Sequence, residues 1–323
     1  MQGSGILLHN MIKGTYIFYE DGNEIYRSSN IITKFGKRFF TNLIAGTIAE
    51  KSSADIAIGI DATSATENDT RLGFEFYRLP ILFGSTDIQT DELGVSTYAV
   101  VYKTTLLQSI AGTISEVGLY PSTRTTVSNY DSKFLTDFGN RLNWYDQTGI
   151  NNPATSTVGA KISDTVITMS SNGTSAREYT SNIDQIDMDG YSIADTIKLA
   201  YYKNDNYLGS IRLKFYSSDT AYYYVDITPD SGTGYKMSSN ISMSTFLSNS
   251  SGGPDISNIN KIGVVITPTS GNTTSVGMDG LRVNDEDTFD PIFGLISRSI
   301  LSTPLIKLAG RQVDLEYRLD LTF

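Results

Sequence analysis

The chain has 323 residues, with 25 Lys and Arg against 35 Asp and Glu, so its formal net charge is −10 and its isoelectric point is about 4.6. This acidic balance argues against a nucleic-acid-binding protein, because affinity for phosphates needs a surplus or a stripe of basic side chains. Cysteine is absent and the one histidine is His9, so disulfides and thiolate metal sites are excluded and a catalytic triad or multi-histidine metal centre is nearly so.

The rest of the composition is typical of β-sheets. The sequence contains 20 Tyr, 14 Phe and 28 Gly, and only 19% of its residues are charged. Aromatic residues are enriched in strands, and small residues in the turns between them. No stretch approaches the ~18 apolar residues of a membrane span, and the N-terminal residues lack the basic and apolar regions of a secretory signal. We therefore expect a β-rich protein that is made in a cytoplasm and does not insert into a membrane.

The first predicted element is a β-hairpin. Residues 13–20 and 24–27 are rich in aromatic and β-branched side chains. Asp21 and Gly22 lie between them, and these residue types tolerate the positive φ angles of a tight turn.

A helix is predicted after the hairpin. Five apolar residues recur there at helical spacing: Ile32, Phe35, Phe39, Leu43 and Ile44. This pattern predicts one helix near residues 33–45, with Thr33 as its cap and Gly46 at its end.

The remaining elements are predicted strands with turn residues between them. In chain order they cover residues 55–60, 72–78, 97–107, 112–120, 161–169, 196–202, 210–216, 221–227, 261–267 and 275–283. Short strands at this spacing predict an antiparallel sandwich. The clearest strand is the closing segment 313–321, in which the apolar residues Val313, Leu315, Tyr317, Leu319 and Leu321 alternate with Asp314, Glu316, Arg318 and Asp320.

Six segments resemble structural proteins of tailed bacteriophages. They are NIITKFG at 30–36, IAIGI at 56–60, TRLGFEFYRLP at 70–80, TISEVGL at 113–119, ILSTPLIK at 300–307 and VDLEYRL at 313–319. In such proteins the Glu-x-Gly-Leu segment, here beginning at Glu116, is followed within a few tens of residues by a segment like Ser-Arg-Ser at 297–299. Here about 170 residues separate the two, which indicates an inserted domain.

The intervening part resembles jelly rolls of the carbohydrate-binding-module type, through INKIGVVITP at 259–268 and VGMDGLRV at 276–283. The combined resemblance implies a mainly β protein in two parts. Residues 1–140 and 288–323 form a discontinuous virion-attachment domain that contains the one helix. Residues 141–287 form an inserted, jelly-roll-like antiparallel β-sandwich.

Tyrosines are concentrated in the predicted insert. Tyr202, Tyr207, Tyr222 and Tyr224 are the candidate glycan-binding residues, because a phenol ring offers a flat apolar face with a polar tip. The alternative is that these tyrosines pack half-buried on sheet faces or against a neighbouring subunit, and we favour it. In either case Tyr223 must point away from Tyr222 and Tyr224.

The acidic residues predict at most a structural ion. An EF-hand beginning at Asp187 fails, because position 12 of its loop would be Lys198. The resemblance to jelly rolls implies a structural calcium ion near the last strand, with Asp279 as the candidate ligand, although a plain turn aspartate explains this residue better. The carboxylate pairs Asp184/Asp187 and 285–287 show no catalytic signature. No other cofactor is predicted.

The expected function is that of a non-enzymatic structural component of a tailed phage virion. The protein would attach to other virion proteins, form a homo-oligomer and project its sandwich outward, with a tail, fibre or baseplate position favoured. The alternatives are a capsid decoration or cement protein, and a receptor-binding protein for a host-surface glycan. A polysaccharide-degrading enzyme is the least favoured hypothesis.

Overall fold

The computed structural model describes residues 12–45, 53–90, 96–122, 133–146, 152–173, 175–284 and 294–322. The chain divides into two compact units, the first made of residues 1–126 and 288–323 and the second of residues 127–287. Both consist mainly of antiparallel strands, as the sequence predicts. His9, Gly46 and the acidic run 285–287 lie outside the described residues. In the part of the chain that is described, no helix has the length and apolar character needed to span a membrane.

Within its described residues, the first unit contains ten strands and a helix. They are β1 (Ile12–Glu20), β2 (Asn23–Ser29), β3 (Ile31–Ile32), α1 (Lys34–Ile44), β4 (Ser53–Gly59), β5 (Glu75–Pro80), β6 (Phe83–Thr90), β7 (Ser96–Leu106) and β8 (Gly112–Ser122), followed after the second unit by β22 (Ser297–Lys307) and β23 (Val313–Thr322). One sheet has the order β2-β1-β23-β7-β6 and the other the order β3-β22-β8-β4-β5.

These two sheets pack face to face. The Tyr16 hydroxyl on β1 is 2.8 Å from the Ser297 hydroxyl on β22, and the Thr104 hydroxyl on β7 donates to the Pro80 carbonyl on β5 at 2.7 Å. Tyr16 and Tyr317 are fully buried between the sheets, with ring centroids 4.8 Å apart. The alternation in β23 therefore turns Val313, Leu315, Tyr317 and Leu319 towards the core, as predicted.

The predicted hairpin and helix are confirmed. Asp21 and Gly22 adopt φ angles of 51° and 78° in the turn between β1 and β2. Helix α1 begins after Thr33, whose side-chain oxygen accepts a hydrogen bond from Gly36 N at 3.0 Å, the arrangement of an N-cap.

Strands β8 and β22 are hydrogen-bonded neighbours, with Leu119 opposite Ser297 and Gly118 opposite Arg298. The second unit is therefore an insertion in the connection between two adjacent antiparallel strands. In ordinary hairpins such a connection is a short turn.

A buried ion pair joins β8 to β22. Glu116 is completely buried, and its Oε2 accepts hydrogen bonds from Arg298 Nε at 3.0 Å and Nη2 at 2.7 Å. Backbone N–H groups of Gly73 and Phe74 donate to the same carboxylate at 2.9 and 2.8 Å. The Asp69 carboxylate accepts a hydrogen bond from Arg298 Nη1 at 2.8 Å. Burial raises the pKa of Glu116, and Arg298 opposes this rise by favouring the carboxylate. The network fixes the polar loop before β5 onto the sheet.

The second unit is itself a sandwich. Its elements are β9 (Lys133–Thr136), β10 (Tyr145–Asp146), β11 (Ala154–Ser156), β12 (Val166–Ser171), β13 (Arg177–Ile186), β14 (Thr196–Lys203), β15 (Leu208–Tyr216), β16 (Tyr222–Ile227), β17 (Gly234–Met237), β18 (Ile241–Ser242), α2 (Met243–Ser248), β19 (Ser250–Ser251), β20 (Ile259–Pro268) and β21 (Thr274–Asn284). A six-stranded sheet has the order β10-β13-β20-β15-β16-β19. The other sheet has the order β11-β12-β21-β14-β17, with β18 and β9 paired to β14 and β21. One apolar core lies between them, with contributions such as Tyr179, Leu213 and Val264 from the first sheet and Ile167, Leu199 and Met278 from the second.

Several details differ from the sequence prediction. Strand β9 pairs with β21, so residues 133–140 belong to the second unit and not to the first. The strand predicted at 161–169 begins only at Val166. Strands β6, β13 and β22 and the short helix α2 are among the elements that were not predicted. Strand β13 is rich in Ser, Thr, Asn and Asp, and α2 is too short to show a helical period.

Deleting residues 127–287 and joining the ends with a short Gly/Ser linker is expected to leave a soluble first unit that unfolds cooperatively. The reason is that β8 and β22 pair directly, so the linker only has to close a hairpin. Urea denaturation followed by circular dichroism measures this. An aggregated product, or one without a cooperative transition, would show that the first unit depends on the insert.

Candidate functional site

The candidate site lies on the outer face of the six-stranded sheet, opposite the core. Register places Tyr216 of β15 beside Tyr222 of β16, while Tyr223 lies opposite Phe215. Phe215 belongs to the core and Tyr223 packs against it. Because side chains alternate along a strand, Tyr216, Tyr222 and Tyr224 all point outward. The predicted opposition of Tyr223 to its two neighbours is confirmed.

The three outward rings form a row. Ring centroids are 5.0 Å apart between Tyr216 and Tyr222 and 6.2 Å apart between Tyr222 and Tyr224. Tyr216 is buried, whereas Tyr222 and Tyr224 are half-buried and keep part of their rings in solvent. We call this row, together with the charged side chains that flank it, the tyrosine face.

Each ring of the tyrosine face has a cation over it. Lys261 Nζ lies 4.5 Å from the Tyr216 centroid and Lys214 Nζ lies 4.5 Å from the Tyr222 centroid. The guanidinium carbon of Arg212 lies 4.4 Å from the Tyr224 centroid. These distances are within the range of cation–π attraction, so the cations hold the rings in fixed orientations.

Each cation is also paired with a carboxylate. Arg212 Nε and Nη2 donate to the two oxygens of Asp226 at 2.7 and 2.8 Å. Lys214 Nζ lies 2.8 Å from Glu178 Oε2, and Lys261 Nζ lies 2.6 Å from Asp219 Oδ1. The three cations and three carboxylates balance, so the tyrosine face has no net charge.

Close packing around a glycine supports the buried end of the row. A Cβ atom at Gly263 would lie 2.8 Å from Glu178 Oε1 and 2.9 Å from Tyr216 Cε2. A glycine at this position therefore lets the Tyr216 ring lie against β20 while its hydroxyl donates to Glu178. Burial raises the pKa of Tyr216, and the bond to Glu178 raises it further, so the hydroxyl stays protonated.

The chemistry of the tyrosine face suits a polyhydroxylated ligand. Half-exposed rings offer flat apolar surfaces, and the adjacent ion pairs offer fixed hydrogen-bond donors and acceptors. A few placed polar groups beside aromatic surface is the usual composition of a binding site for small molecules.

Of the four predicted glycan-binding tyrosines, the structure brings only Tyr222 and Tyr224 together. Tyr202 lies on the outer face of the other sheet, and Gly159, at a φ of 83°, lies directly against its ring. A side chain at Gly159 would collide with the Tyr202 ring, and Gly159 covers part of that ring. Tyr207 lies in the turn between β14 and β15 and is 49% exposed. These two residues do not contribute to the tyrosine face.

The charged members of the site were not among the residues predicted from the sequence. Arg212, Lys214 and Tyr216 alternate with core residues along β15, and this period of two is visible in the sequence. Lys261 and Glu178 come from β20 and β13, and only the sheet order brings them to the same face.

Asp279 has a role different from that of a calcium ligand. It is completely buried on β21, and its Oδ2 accepts hydrogen bonds from Lys161 N at 3.1 Å, Ile162 N at 3.2 Å and the Tyr235 hydroxyl at 2.6 Å. Burial raises the pKa of this carboxyl to about 6. Its partners are donors, whereas a calcium ion needs a shell of oxygen ligands. Among the described residues no group of three or more His, Cys, Asp or Glu could hold a metal ion.

Comparisons with known proteins concern the fold. No family model matches the sequence, and no curated protein matches it. Among solved structures, the chain is similar to a family 11 carbohydrate-binding module from Clostridium thermocellum in complex with a beta-1,3-1,4-mixed-linked tetrasaccharide. The identity is 21% and the TM-score 0.35, over 49% of this chain and 97% of that chain.

Two further structures extend the comparison. A family 28 carbohydrate-binding module specific for non-crystalline cellulose has 10% identity and a TM-score of 0.33, over 49% of this chain and 98% of that chain. The enzymatically active domain of tailspike protein 4 from bacteriophage CBA120 has 13% identity and a TM-score of 0.30, over 49% of this chain and 21% of that chain. At such identities the likeness is one of β architecture alone.

Proposed function

We propose that this chain is a non-enzymatic structural protein of a tailed phage virion and that its inserted sandwich binds a polysaccharide at the tyrosine face. The observation that carries the binding proposal is the half-exposed pair Tyr222 and Tyr224, held by cations on the side of a sheet that faces away from the core. Rings that served only to fill the core would lie on the opposite side, with Tyr223.

The virion part of the proposal is supported by the two segments that carry the phage resemblance. Glu116 and Arg298 belong to motifs separated by about 170 residues, and they meet in one buried network. The insert thus interrupts the resemblance in sequence and leaves the paired strands of the first unit adjacent. In this proposal the first unit attaches to other virion proteins, within a homo-oligomer, and the insert projects outward in a tail, fibre or baseplate.

The absence of catalysis is part of the same proposal. Glycoside hydrolysis needs one carboxylic acid to donate a proton and one free carboxylate, about 5–9.5 Å apart. On the tyrosine face Glu178, Asp219 and Asp226 are each bound to a cation. These pairs favour binding over proton transfer.

The binding assay is an array of purified bacterial capsular and O-antigen polysaccharides probed with the full-length protein. Changing Tyr222 and Tyr224 together to alanine is expected to abolish binding to every polysaccharide of the array that the wild-type protein binds. Because both rings are half-buried on an outer face, stability should fall by only about 1–2 kcal/mol, less than the loss for a core aromatic. Thermal melting and analytical ultracentrifugation accompany the array.

The matched control is Tyr207→Ala, which removes an exposed tyrosine of the same unit from outside the tyrosine face. Binding that survives in the Tyr222/Tyr224 double variant would contradict the proposal. An oligomer that dissociates in that variant would identify the tyrosine face as a subunit contact. Immuno-electron microscopy of purified particles with antibodies to the full chain tests the virion location.

A further inference from the structure

We infer that the polysaccharide bound at the tyrosine face is acidic, and that in the free protein Asp219 occupies the position that a uronate carboxylate takes at Lys261. This inference rests on the proposed polysaccharide binding and names the class of sugar. It depends on the unequal environments of the two partners in one ion pair.

Lys261 is a cation taken out of water. Its side chain is 8% exposed, and its Nζ donates to Asp219 at 2.6 Å beside the Tyr216 ring. A buried ammonium needs a carboxylate partner, because removing it from water without one is costly. Lys261 therefore provides a preformed anion site next to the aromatic row.

Asp219 is the opposite case, because its side chain is 95% exposed. It lies in the turn between β15 and β16, where Ser217 N donates to the Ala221 carbonyl at 3.0 Å. The hydrogen bond from Lys261 lowers the pKa of Asp219, so it is a carboxylate at neutral pH. Rotation of this one side chain frees Lys261 and changes no hydrogen bond of the sheet.

The other two ion pairs of the tyrosine face do not offer this exchange. Asp226 lies in β16 directly opposite Arg212 of β15, and Glu178 is bound by both Lys214 and the Tyr216 hydroxyl. Asp226 accepts two hydrogen bonds from Arg212, and Arg212 is 39% exposed, so that pair has no buried cation. Both oxygens of Glu178 accept a hydrogen bond.

The charge balance selects the ligand. With Asp219 turned away, the tyrosine face has three cations and two carboxylates, and it accepts one anionic group. A sugar ring against Tyr222 lies next to the Tyr216 ring, since the two centroids are 5.0 Å apart, and Lys261 Nζ lies at that ring. A carboxylate on the sugar is the group that completes this arrangement.

The test uses polygalacturonate and the same polymer with its carboxylates methyl-esterified. Affinity electrophoresis of the full-length protein compares the two, because they share a backbone and differ in charge. We expect the free acid to retard the protein and the ester to retard it much less. Asp219→Asn should bind the acid about three- to fivefold more tightly, because the internal competitor no longer pairs with Lys261. Lys261→Met should bind it at least about tenfold more weakly.

Lys37→Met is the matched control for net charge. It removes another paired lysine, bound to Glu67 at 2.7 Å on the first unit, and binding should not change. If Lys261→Met has a lowered melting temperature, Asp219→Asn still tests the inference, because it predicts tighter binding. Equal retardation by acid and ester overturns the inference but leaves polysaccharide binding intact. Failure of both wild type and Asp219→Asn to bind the acid also overturns it, while the polysaccharide array decides the proposed function separately.

Discussion

Replacing Glu116 with alanine is expected to lower the free energy of unfolding of the first unit by about 3–5 kcal/mol, because it leaves Arg298 buried without its main partner. The Arg298 side chain is 5% exposed and donates two hydrogen bonds to this carboxylate. The substitution also removes the acceptor for the backbone N–H groups of Gly73 and Phe74. Urea denaturation monitored by circular dichroism gives the value.

The control for this prediction is Glu24→Ala. Glu24 pairs with Arg27 at 2.7 Å, but both side chains are largely exposed, and exposed pairs contribute little to stability. Glu116→Gln separates charge from shape, because it keeps an acceptor for the backbone N–H groups and loses the ion pair. This variant should lower the free energy of unfolding by an intermediate amount. Equal losses for Glu116→Ala and Glu24→Ala would show that the buried network does not stabilise the unit.

Tyr317→Asp is expected to lower the free energy of unfolding by more than about 4 kcal/mol. The neighbouring Arg318→Asp should lower it by only about 1–2 kcal/mol. Tyr317 is fully buried, with its ring 4.8 Å from that of Tyr16 and its hydroxyl 3.1 Å from Asn30 Nδ2. A carboxylate in that position would be buried beside these aromatic and amide groups. Differential scanning calorimetry of the two variants measures the difference in melting temperature.

Arg318 is the matched position because it is next in sequence on the same strand and points to the other face. It is partly exposed and bridges Asp320 and Asp87 at 2.7 and 3.0 Å. Its replacement by Asp places three carboxylates together at a partly solvated surface, which costs less than burial of one. Similar melting temperatures for the two variants would mean that both faces of β23 are equally buried.

Local patterns in the sequence predicted the elements that have a strong period or cap. Alternation in β23, helical spacing in α1 and turn residues at Asp21 and Gly22 each depend on neighbours within a few residues. Strand β13 was missed because its alternation is masked by small polar residues, several of which are buried there.

Contacts between distant segments could not be predicted in the same way. Glu116 and Arg298 were both within segments noted for their resemblance, yet their pairing depends on the register of β8 against β22. The charges of the tyrosine face come from β13, β15, β16 and β20, and the order of those strands follows from packing of the whole sandwich. Asp279 lies within the strand predicted at 275–283, but no local pattern indicated that this carboxylate is buried in β21 and accepts hydrogen bonds from the backbone of Lys161 and Ile162.

The position of the insert also sets the order in which the chain can fold during synthesis. Strand β23 is the central strand of the sheet β2-β1-β23-β7-β6, yet it is translated after the whole insert, which contains all its own pairing partners. The inserted sandwich can therefore complete its core on the ribosome while β1 and β7 still lack the strand that lies between them. Unpaired strand edges can pair with other chains. The contacts of β23 with β1 and β7 join segments that are far apart in sequence, and such non-local contacts form slowly. The sheet of the first unit thus stays incomplete until β23 has been translated, whereas the strands of the insert are all present before that point.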